Sequence, residues 1–287
     1  MKSSKVVTRN EVKTRERLVL PRTDLKNSLS VDFESWVHRD ELKGADRRRL
    51  LDQDFIVKSA EDILTLFDQH NVVTTFFIVA EIFDWHPEII REIKRHGHEI
   101  GYHTHTHARL DTKEKLVEEL HQSRRFIDEF GPKGFRATRI FLKREFLPIL
   151  SDYGFTYDSS TYAPFGLRQQ IEGVQEIPVS TYRLKGQAQL VFPRTLAYTI
   201  SVGELPIGSG LFLGILGSRV SHFIGRFNAA GEPAVMFVHP WQLYDAPARI
   251  SPRSVAMIPY QINRFKAVDE LLAQFRFTTM LDISNGR

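Results

Sequence analysis

Three histidines at alternate positions, His103, His105 and His107, form a dense cluster in this 287-residue chain. Packing rarely explains imidazole rings crowded this closely, because each ring nitrogen needs a hydrogen-bond partner. The cluster therefore indicates a metal site. If the stretch is extended, all three side chains point to one face. If a strand ends near Tyr102 and a helical turn follows, only His103 and His107 share a face.

Polar side chains also follow two other predicted strands. Asp32 and Glu34 lie at the end of the stretch 28–33, and His239 follows the apolar stretch 234–238. The carboxyl ends of parallel strands lie at one face of an α/β fold. There, two histidines and a carboxylate can hold a divalent cation, a second carboxylate can take a proton from water, and a lone histidine can protonate a leaving group. This pattern favours the strand-then-turn geometry and predicts metal-assisted hydrolysis of an amide or an ester.

The elements that must position these residues alternate between apolar runs and amphipathic segments. The predicted strands are 28–33, 72–79, 98–102, 135–137, 155–159, 175–179, 234–238 and 276–281. The predicted helices are 59–69, 87–95, 111–130, 143–153, 219–228 and 262–275. Strands that alternate with helices predict an α/β fold with a mainly parallel sheet, either a barrel or a doubly wound sheet.

Composition places the chain among ordinary globular proteins, with 42% hydrophobic and 26% charged residues. The lack of cysteine excludes disulfides, thiolate zinc sites and cysteine nucleophiles. Residues 1–26 carry eight Lys/Arg and three Asp/Glu, which predicts a partly disordered basic arm before a catalytic domain at 27–287. This arm could contact an anionic membrane surface. Because the sequence shows neither an apolar leader nor a run of about 20 apolar residues, we expect a cytoplasmic protein, at or near the inner face of the membrane, that binds no nucleic acid.

The motifs around these residues resemble those of the polysaccharide deacetylases, the NodB-homology domains of carbohydrate esterase family four. Residues 31–34 resemble the first motif, in the Asp-x-Glu form of a subgroup found near exopolysaccharide genes. Residues 97–107 are similar to the second motif, His-(Ser/Thr)-x-x-His preceded by Gly-His-Glu-Ile-Gly. Residues 135–137 resemble the start of the third motif, and 237–241 resemble the fifth.

This resemblance implies a distorted seven-stranded β/α barrel and a divalent metal, with Zn²⁺ the usual one. It assigns metal binding to Glu34, His103 and His107, the general base to Asp32, the orientation of that base to Arg136, and the general acid to His239. The implied activity is removal of an N-acetyl group from an N-acetylated sugar of a polysaccharide or glycolipid. The alternatives are an O-acetyl esterase, an allantoinase-like hydrolase of a small non-sugar amide, and a carbohydrate-binding pseudoenzyme.

The sequence departs from the family pattern in three places. Thr138 stands where the third motif usually has proline, and Glu34 is one methylene longer than the usual aspartate. The Asp-Trp motif that normally orients the acid histidine is not visible. Asp158 and Glu176 are the nearest candidates to orient His239 in its place.

Overall fold

The computed structural model describes residues 24–39, 44–184, 193–245, 258–262 and 265–286. Most of the predicted basic arm, residues 1–23, lies outside the described residues, so its disorder and its membrane contact stay predictions. The first strand begins at Lys26, one residue inside the predicted arm. None of the described helices is long and apolar enough to cross a membrane.

The strands and helices alternate as predicted. The strands are β1 (Lys26–Phe33), β2 (Thr75–Ile78), β3 (Glu99–Tyr102), β4 (Gly134–Phe135), β5 (Tyr157–Asp158), β6 (Tyr162–Ala163), β7 (Gln169–Ile171), β8 (Val174–Glu176), β9 (Val179–Ser180), β10 (Tyr182–Arg183), β11 (Glu204–Leu205), β12 (Val235–Val238) and β13 (Arg276–Phe277). The α-helices are α1 (Trp36–Arg39), α2 (Ala45–Asp52), α3 (Phe55–Gln69), α4 (Glu81–Trp85), α5 (Pro87–Arg95), α6 (Lys113–Gln122), α7 (Arg124–Phe130), α8 (Leu147–Asp152), α9 (Leu196–Ser201), α10 (Gly210–Leu216), α11 (Val220–Ala229), α12 (Pro240–Leu243), α13 (Ile258–Gln261), α14 (Phe265–Gln274) and α15 (Met280–Ser284). Short 3-10 helices span Thr138–Ile140, Arg144–Phe146, Phe165–Leu167 and Gly217–Arg219.

The main sheet runs in the order β12-β1-β2-β3-β4-β5-β8, and each of these strands is parallel to its neighbour. Strand β7 adds antiparallel to β8, and β13 pairs with the beginning of β1. The sheet curls into a half-barrel that stays open between β12 and β7 within the part of the chain that the structure describes. The predicted α/β fold with seven barrel strands is therefore confirmed.

Burial on both faces explains the apolar sequences of the central strands, as expected for a parallel sheet. Every residue of β2 is buried. The inner face of the barrel packs Phe77 against Tyr157 at 6.3 Å between ring centroids. Gly101 on β3 allows this packing, since a Cβ there would lie 2.6 Å from the Phe77 ring. Met280 of α15 packs in the same cluster as Phe77 and Tyr157. Its backbone N–H donates to the Thr75 hydroxyl at 2.7 Å.

Two predicted elements differ in kind from the structure. The helix predicted at 111–130 is two helices, α6 and α7, which meet at Ser123. The N-cap of α6 is Thr112, because the Thr112 hydroxyl accepts from the backbone N–H of Lys115. The strand predicted at 276–281 ends after two residues, and its second half begins helix α15.

Candidate metal centre and active site

Three strand ends bring the predicted site residues together. Asp32 is the second-last residue of β1, Glu34 directly follows that strand, His103 follows β3, and His239 follows β12. Strands β12, β1, β2 and β3 are consecutive neighbours in the sheet, so these side chains share one edge of the half-barrel. Together with His107 they line a cavity of about 250 Å³.

Glu34, His103 and His107 form the candidate metal centre. Each offers one ligand atom, and these atoms all lie within 4.8 Å of one another. His107 Nε2 lies 2.6 Å from Glu34 Oε2. Even so, Oε2 is buried without a partner of proper hydrogen-bond geometry among the described residues. Two imidazoles and a carboxylate that converge in this way, with Glu34 Oε2 lacking a hydrogen-bond donor, fit a divalent cation.

The tautomer of His103 suits a metal ligand. Its Nδ1 lies 2.6 Å from the carbonyl oxygen of Arg136. A carbonyl only accepts hydrogen bonds, so Nδ1 carries the proton and Nε2 keeps its lone pair. Burial lowers the pKa of His103 to about 4, so the ring is neutral near pH 7.

Glu34 stays ionised although it is buried. Burial alone would raise the pKa of this carboxyl, but His107, His239 and His103 together hold it well below its usual range. The indole N–H of Trp241 donates to Glu34 Oε1 at 2.7 Å. The longer side chain of glutamate therefore reaches the two histidines while its second oxygen is held by Trp241.

The loop that carries His107 is not the helical turn that the sequence predicted. Thr104 and His107 both have positive φ, 65° and 60°, so the chain leaves β3 in an irregular loop. Such a loop leaves backbone N–H groups without helical partners. The wholly buried carboxylate of Glu119 on α6 accepts from the N–H groups of His105 and Thr106, both at 2.8 Å. Glu119 therefore fixes the loop that presents His107.

His105 points away from the candidate metal centre. Its Nδ1 lies 3.2 Å from the hydroxyl of Ser123, and its Nε2 lies 3.6 Å from a carboxylate oxygen of Asp84. Sequence reasoning placed His105 outside the ligand set, and the geometry agrees with that placement. It did not identify Glu119, whose role depends on a contact between α6 and the loop that no local spacing indicates.

Arg136 contacts both Asp32 and the metal-ligand candidate His103. Its guanidinium is fully buried and donates from Nη1 to Asp32 Oδ1 and to the Ser30 hydroxyl, both at 2.6 Å. Its Nε donates to the Ser159 carbonyl at 3.2 Å, and its charge lies 4.1 Å from the centre of the Phe77 ring. Removal of one partner of such a buried ion pair costs about 3–5 kcal/mol. Asp32 is therefore held in one orientation at the cavity floor.

His239 stacks on Trp241, with 4.4 Å between ring centroids, and its Nε2 lies 3.8 Å from Glu34 Oε1. The two residues predicted as candidates to orient it are engaged elsewhere. Asp158 and Glu176 lie opposite each other on β5 and β8, and each contacts Ser160. Burial raises the pKa of Asp158 to about 6 and that of Glu176 well above its usual value. These two acids form a pair of their own, so the expectation that one of them orients His239 is wrong.

Gln242 is a neighbour of His239 that sequence reasoning missed. Its side-chain Nε2 donates to the carbonyl of Gly210 at 2.9 Å. Its Oε1 and the Nδ1 of His239 are both buried without a partner of proper hydrogen-bond geometry among the described residues. Burial lowers the pKa of His239, and the charges of Glu34 and Asp32 and, to a smaller extent, the Gln242 amide oppose this. The available signal was its position three residues after His239, which places it one helical turn away.

Two family models match this chain. A family model for polysaccharide deacetylases matches residues 52–157, which contain His103, His107 and Arg136. This segment of the chain is therefore similar to polysaccharide deacetylases. A second model, a domain of unknown function, matches residues 146–285 and contains His239. Asp32 and Glu34 precede both matched segments. The family resemblance is confirmed, and the narrower assignment to an exopolysaccharide-associated subgroup stays a prediction.

Curated relatives match a short stretch of this chain. A peptidoglycan-N-acetylglucosamine deacetylase from Bacillus cereus is 44% identical over 48 residues, which are 17% of this chain and 18% of the relative. A chitooligosaccharide deacetylase from a Bradyrhizobium species is 41% identical over 49 residues, which are 17% of this chain and 22% of the relative. The matched stretch thus spans about a fifth of these relatives.

Similarity to a solved structure extends over the whole fold. A crystal structure of a provisionally assigned polysaccharide deacetylase from Mycobacterium smegmatis has a TM-score of 0.57 and 21% sequence identity. The match covers 91% of this chain and 88% of the other. At this identity the similarity concerns the fold, and it agrees with the half-barrel described above.

We expect the purified protein to bind about one Zn²⁺, and Glu34→Ala and His107→Ala to lose it, because each removes one donor of a three-residue set. His105→Ala is the matched control and should bind zinc as the wild type does, since this ring faces Asp84 and Ser123. Metal content by elemental analysis and affinity by calorimetry provide the readout. Full occupancy in either of the first two variants would contradict the ligand assignment.

Glu119→Ala should weaken zinc binding by about 10- to 100-fold, the usual effect of losing a residue that orients a metal ligand. Glu119→Gln should retain much of the affinity, because its one amide oxygen can still accept from both loop N–H groups. Glu118→Ala removes an exposed neighbour on the same helix and is the control. Thermal unfolding of each variant separates loss of the fold from loss of the loop. Equal affinity in Glu119→Ala and Glu118→Ala would show that the loop does not need this carboxylate.

Proposed function

We propose that this protein is a metal-dependent hydrolase that removes the N-acetyl group from an N-acetylated sugar of a polysaccharide or glycolipid. The match of residues 52–157 to the polysaccharide deacetylase model supports hydrolysis of such a group. The observation that carries the proposal is the convergence, in one cavity, of three chemical functions: the set of three metal ligands, the fixed carboxylate of Asp32 and the imidazole of His239.

Glu34, His103 and His107 would hold the cation. When bound, a divalent cation supplies Lewis-acid chemistry, which polarises a carbonyl oxygen and activates water. Two imidazoles and one carboxylate are typical zinc ligands and leave coordination positions open. The proposed cofactor is therefore Zn²⁺.

Asp32 is the proposed general base. Its carboxylate is fixed by Arg136 at the cavity floor, two residues from the ligand Glu34. There it can take a proton from a water molecule that attacks the acetyl carbonyl carbon. Because Arg136 already neutralises one oxygen of this carboxylate and holds it rigidly, little reorganisation accompanies the proton transfer.

His239 is the proposed general acid. Its ring is held by the stack on Trp241 and lines the same cavity as Asp32. Protonation of the sugar nitrogen by His239 allows the C–N bond to break, so that acetate and a free amine leave. Water thus contributes its hydroxyl to acetate, and the amine receives one proton.

Aromatic side chains of the cavity wall suit a sugar ring. Tyr260 is half-buried and lies 5.6 Å from Trp241 between ring centroids, and Tyr162 and Leu196 line the same cavity. Apolar ring faces of sugars pack on such surfaces. Trp36, by contrast, is 1% exposed and belongs to the core, so it offers no surface to a substrate.

Asp32→Asn should keep zinc and lose turnover by about two to four orders of magnitude, the usual contribution of general acid–base catalysis. Asp128→Asn, an exposed carboxylate on α7, is the control and should be fully active. The measurement is acetate release from N-acetylglucosamine oligomers, nucleotide sugars, lipid-linked sugars and O-acetylated sugars. If the zinc-loaded wild type released no acetate from any of them, the proposed activity would be wrong, and a sugar-binding role or a non-sugar amide substrate would gain support.

A further inference from the structure

Arg139 brings a positive charge to the wall of the candidate active site. It is exposed, and it lines the cavity together with Asp32, Glu34 and His107. Among the described residues that line this cavity, Arg139 is the one lysine or arginine. The mechanism proposed above assigns it no role, because Asp32 is already fixed by Arg136.

The backbone holds Arg139 in an unusual conformation. Arg139 has φ 60° and Ile140 has φ 52°, two consecutive non-glycine residues in the left-handed region. Positive φ is especially unfavourable for a β-branched residue such as Ile140. Strain of this kind persists where the surrounding structure determines the conformation, and it concentrates at functional sites.

Contacts on both sides explain why the strained turn persists. Thr138 donates its hydroxyl to the carbonyl oxygen of Ala108 at 3.0 Å, which ties the turn to the loop after His107. The side chain of Ile140 is 3% exposed and packs in a cluster with Tyr162 and Phe237. Burial of Ile140 inside the barrel leaves Arg139 at the rim. There it lines the same cavity as the candidate metal ligands Glu34, His103 and His107.

We propose that Arg139 binds an anionic group of the substrate, and that the preferred substrate is an N-acetylated sugar with a carboxylate or a phosphate next to the acetylated residue. A guanidinium recognises both groups through two parallel hydrogen bonds, which fix orientation as well as supply attraction. This inference rests on the proposed deacetylase activity and adds a substrate class to it.

The test compares three substrates with the zinc-loaded protein. The first is a neutral oligomer of N-acetylglucosamine, the second an oligomer in which N-acetylglucosamine alternates with a hexuronate, and the third N-acetylglucosamine joined through a phosphodiester to a short prenyl chain. Wild type should prefer one of the two anionic substrates, and which one it prefers identifies the source of the charge.

Arg139→Gln should lower kcat/KM for the preferred anionic substrate by about 10- to 100-fold, the effect of losing a charge-assisted hydrogen bond. The neutral substrate should change less than about twofold, and Arg139→Lys should fall between wild type and Arg139→Gln because it keeps the charge but not the planar fork. Arg144→Gln removes an exposed arginine outside the cavity and should leave the substrate preference unchanged. Equal losses on neutral and anionic substrates, or no anionic preference in wild type, would overturn the proposal.

A binding measurement separates this inference from the proposed activity. Calorimetry with the Asp32→Asn protein, which should bind substrate without turnover, should show tighter binding of the anionic saccharide, and the added Arg139→Gln change should abolish the difference. If that difference is present while no substrate releases acetate, the anionic subsite stands and the deacetylase activity is wrong. If acetate is released but Arg139→Gln leaves the preference intact, the activity stands and the subsite is wrong.

Discussion

The buried guanidinium of Arg136 is the constraint on which the rest of the site depends. Its side chain fixes Asp32, and its own carbonyl oxygen fixes the tautomer of His103. A single residue thus orients both the proposed base and a proposed metal ligand. A buried cation is tolerated only when its hydrogen bonds are satisfied, and here Ser30, Ser159 and the face of Phe77 complete its surroundings. The apolar interior of the half-barrel therefore serves as the rigid base of a polar site.

The regular strands position the site, and most of the proposed site residues lie in the irregular segments that follow those strands. The proposed ligands and acid lie at or just beyond the ends of β1, β3 and β12, where backbone groups lose their sheet partners. Buried side chains replace those partners. Glu119 does so for the loop of His107, and Trp241 holds the carboxylate of Glu34 while it stacks on His239. Because these supporting contacts come from distant parts of the chain, the site requires the complete fold.

Much of this arrangement could be predicted from the sequence. The order of strands, the parallel sheet and the convergence of Asp32, Glu34 and His239 follow from alternating apolar and amphipathic segments and from the rule that strand ends share one face. The strand ends that carry Asp32, Glu34 and His239 also favoured the pair His103 and His107 over a set of three histidines, although the helical turn expected there is an irregular loop in the structure. These inferences succeed because they depend on periodicity and on the position of polar residues relative to strands.

The remaining features depend on tertiary contacts that spacing does not encode. The non-helical loop before His107 exists because Glu119 satisfies its N–H groups from another helix. The strained turn at Arg139 exists because Ile140 is buried against other strands. Asp158 and Glu176 are paired because β5 and β8 align them in register. This pairing is why neither acid orients His239, as the sequence had suggested.

The central claim is that Glu34, His103 and His107 together hold the cation. X-ray absorption spectroscopy at the zinc edge of the zinc-loaded protein tests it most directly, because imidazole ligands give a characteristic multiple-scattering pattern. We expect two imidazole nitrogens at about 2.0–2.1 Å and further oxygen ligands at about 2.0–2.2 Å, and we expect His103→Ala to lose the zinc as Glu34→Ala and His107→Ala do. A wild-type spectrum with three imidazoles, or with none, would contradict it.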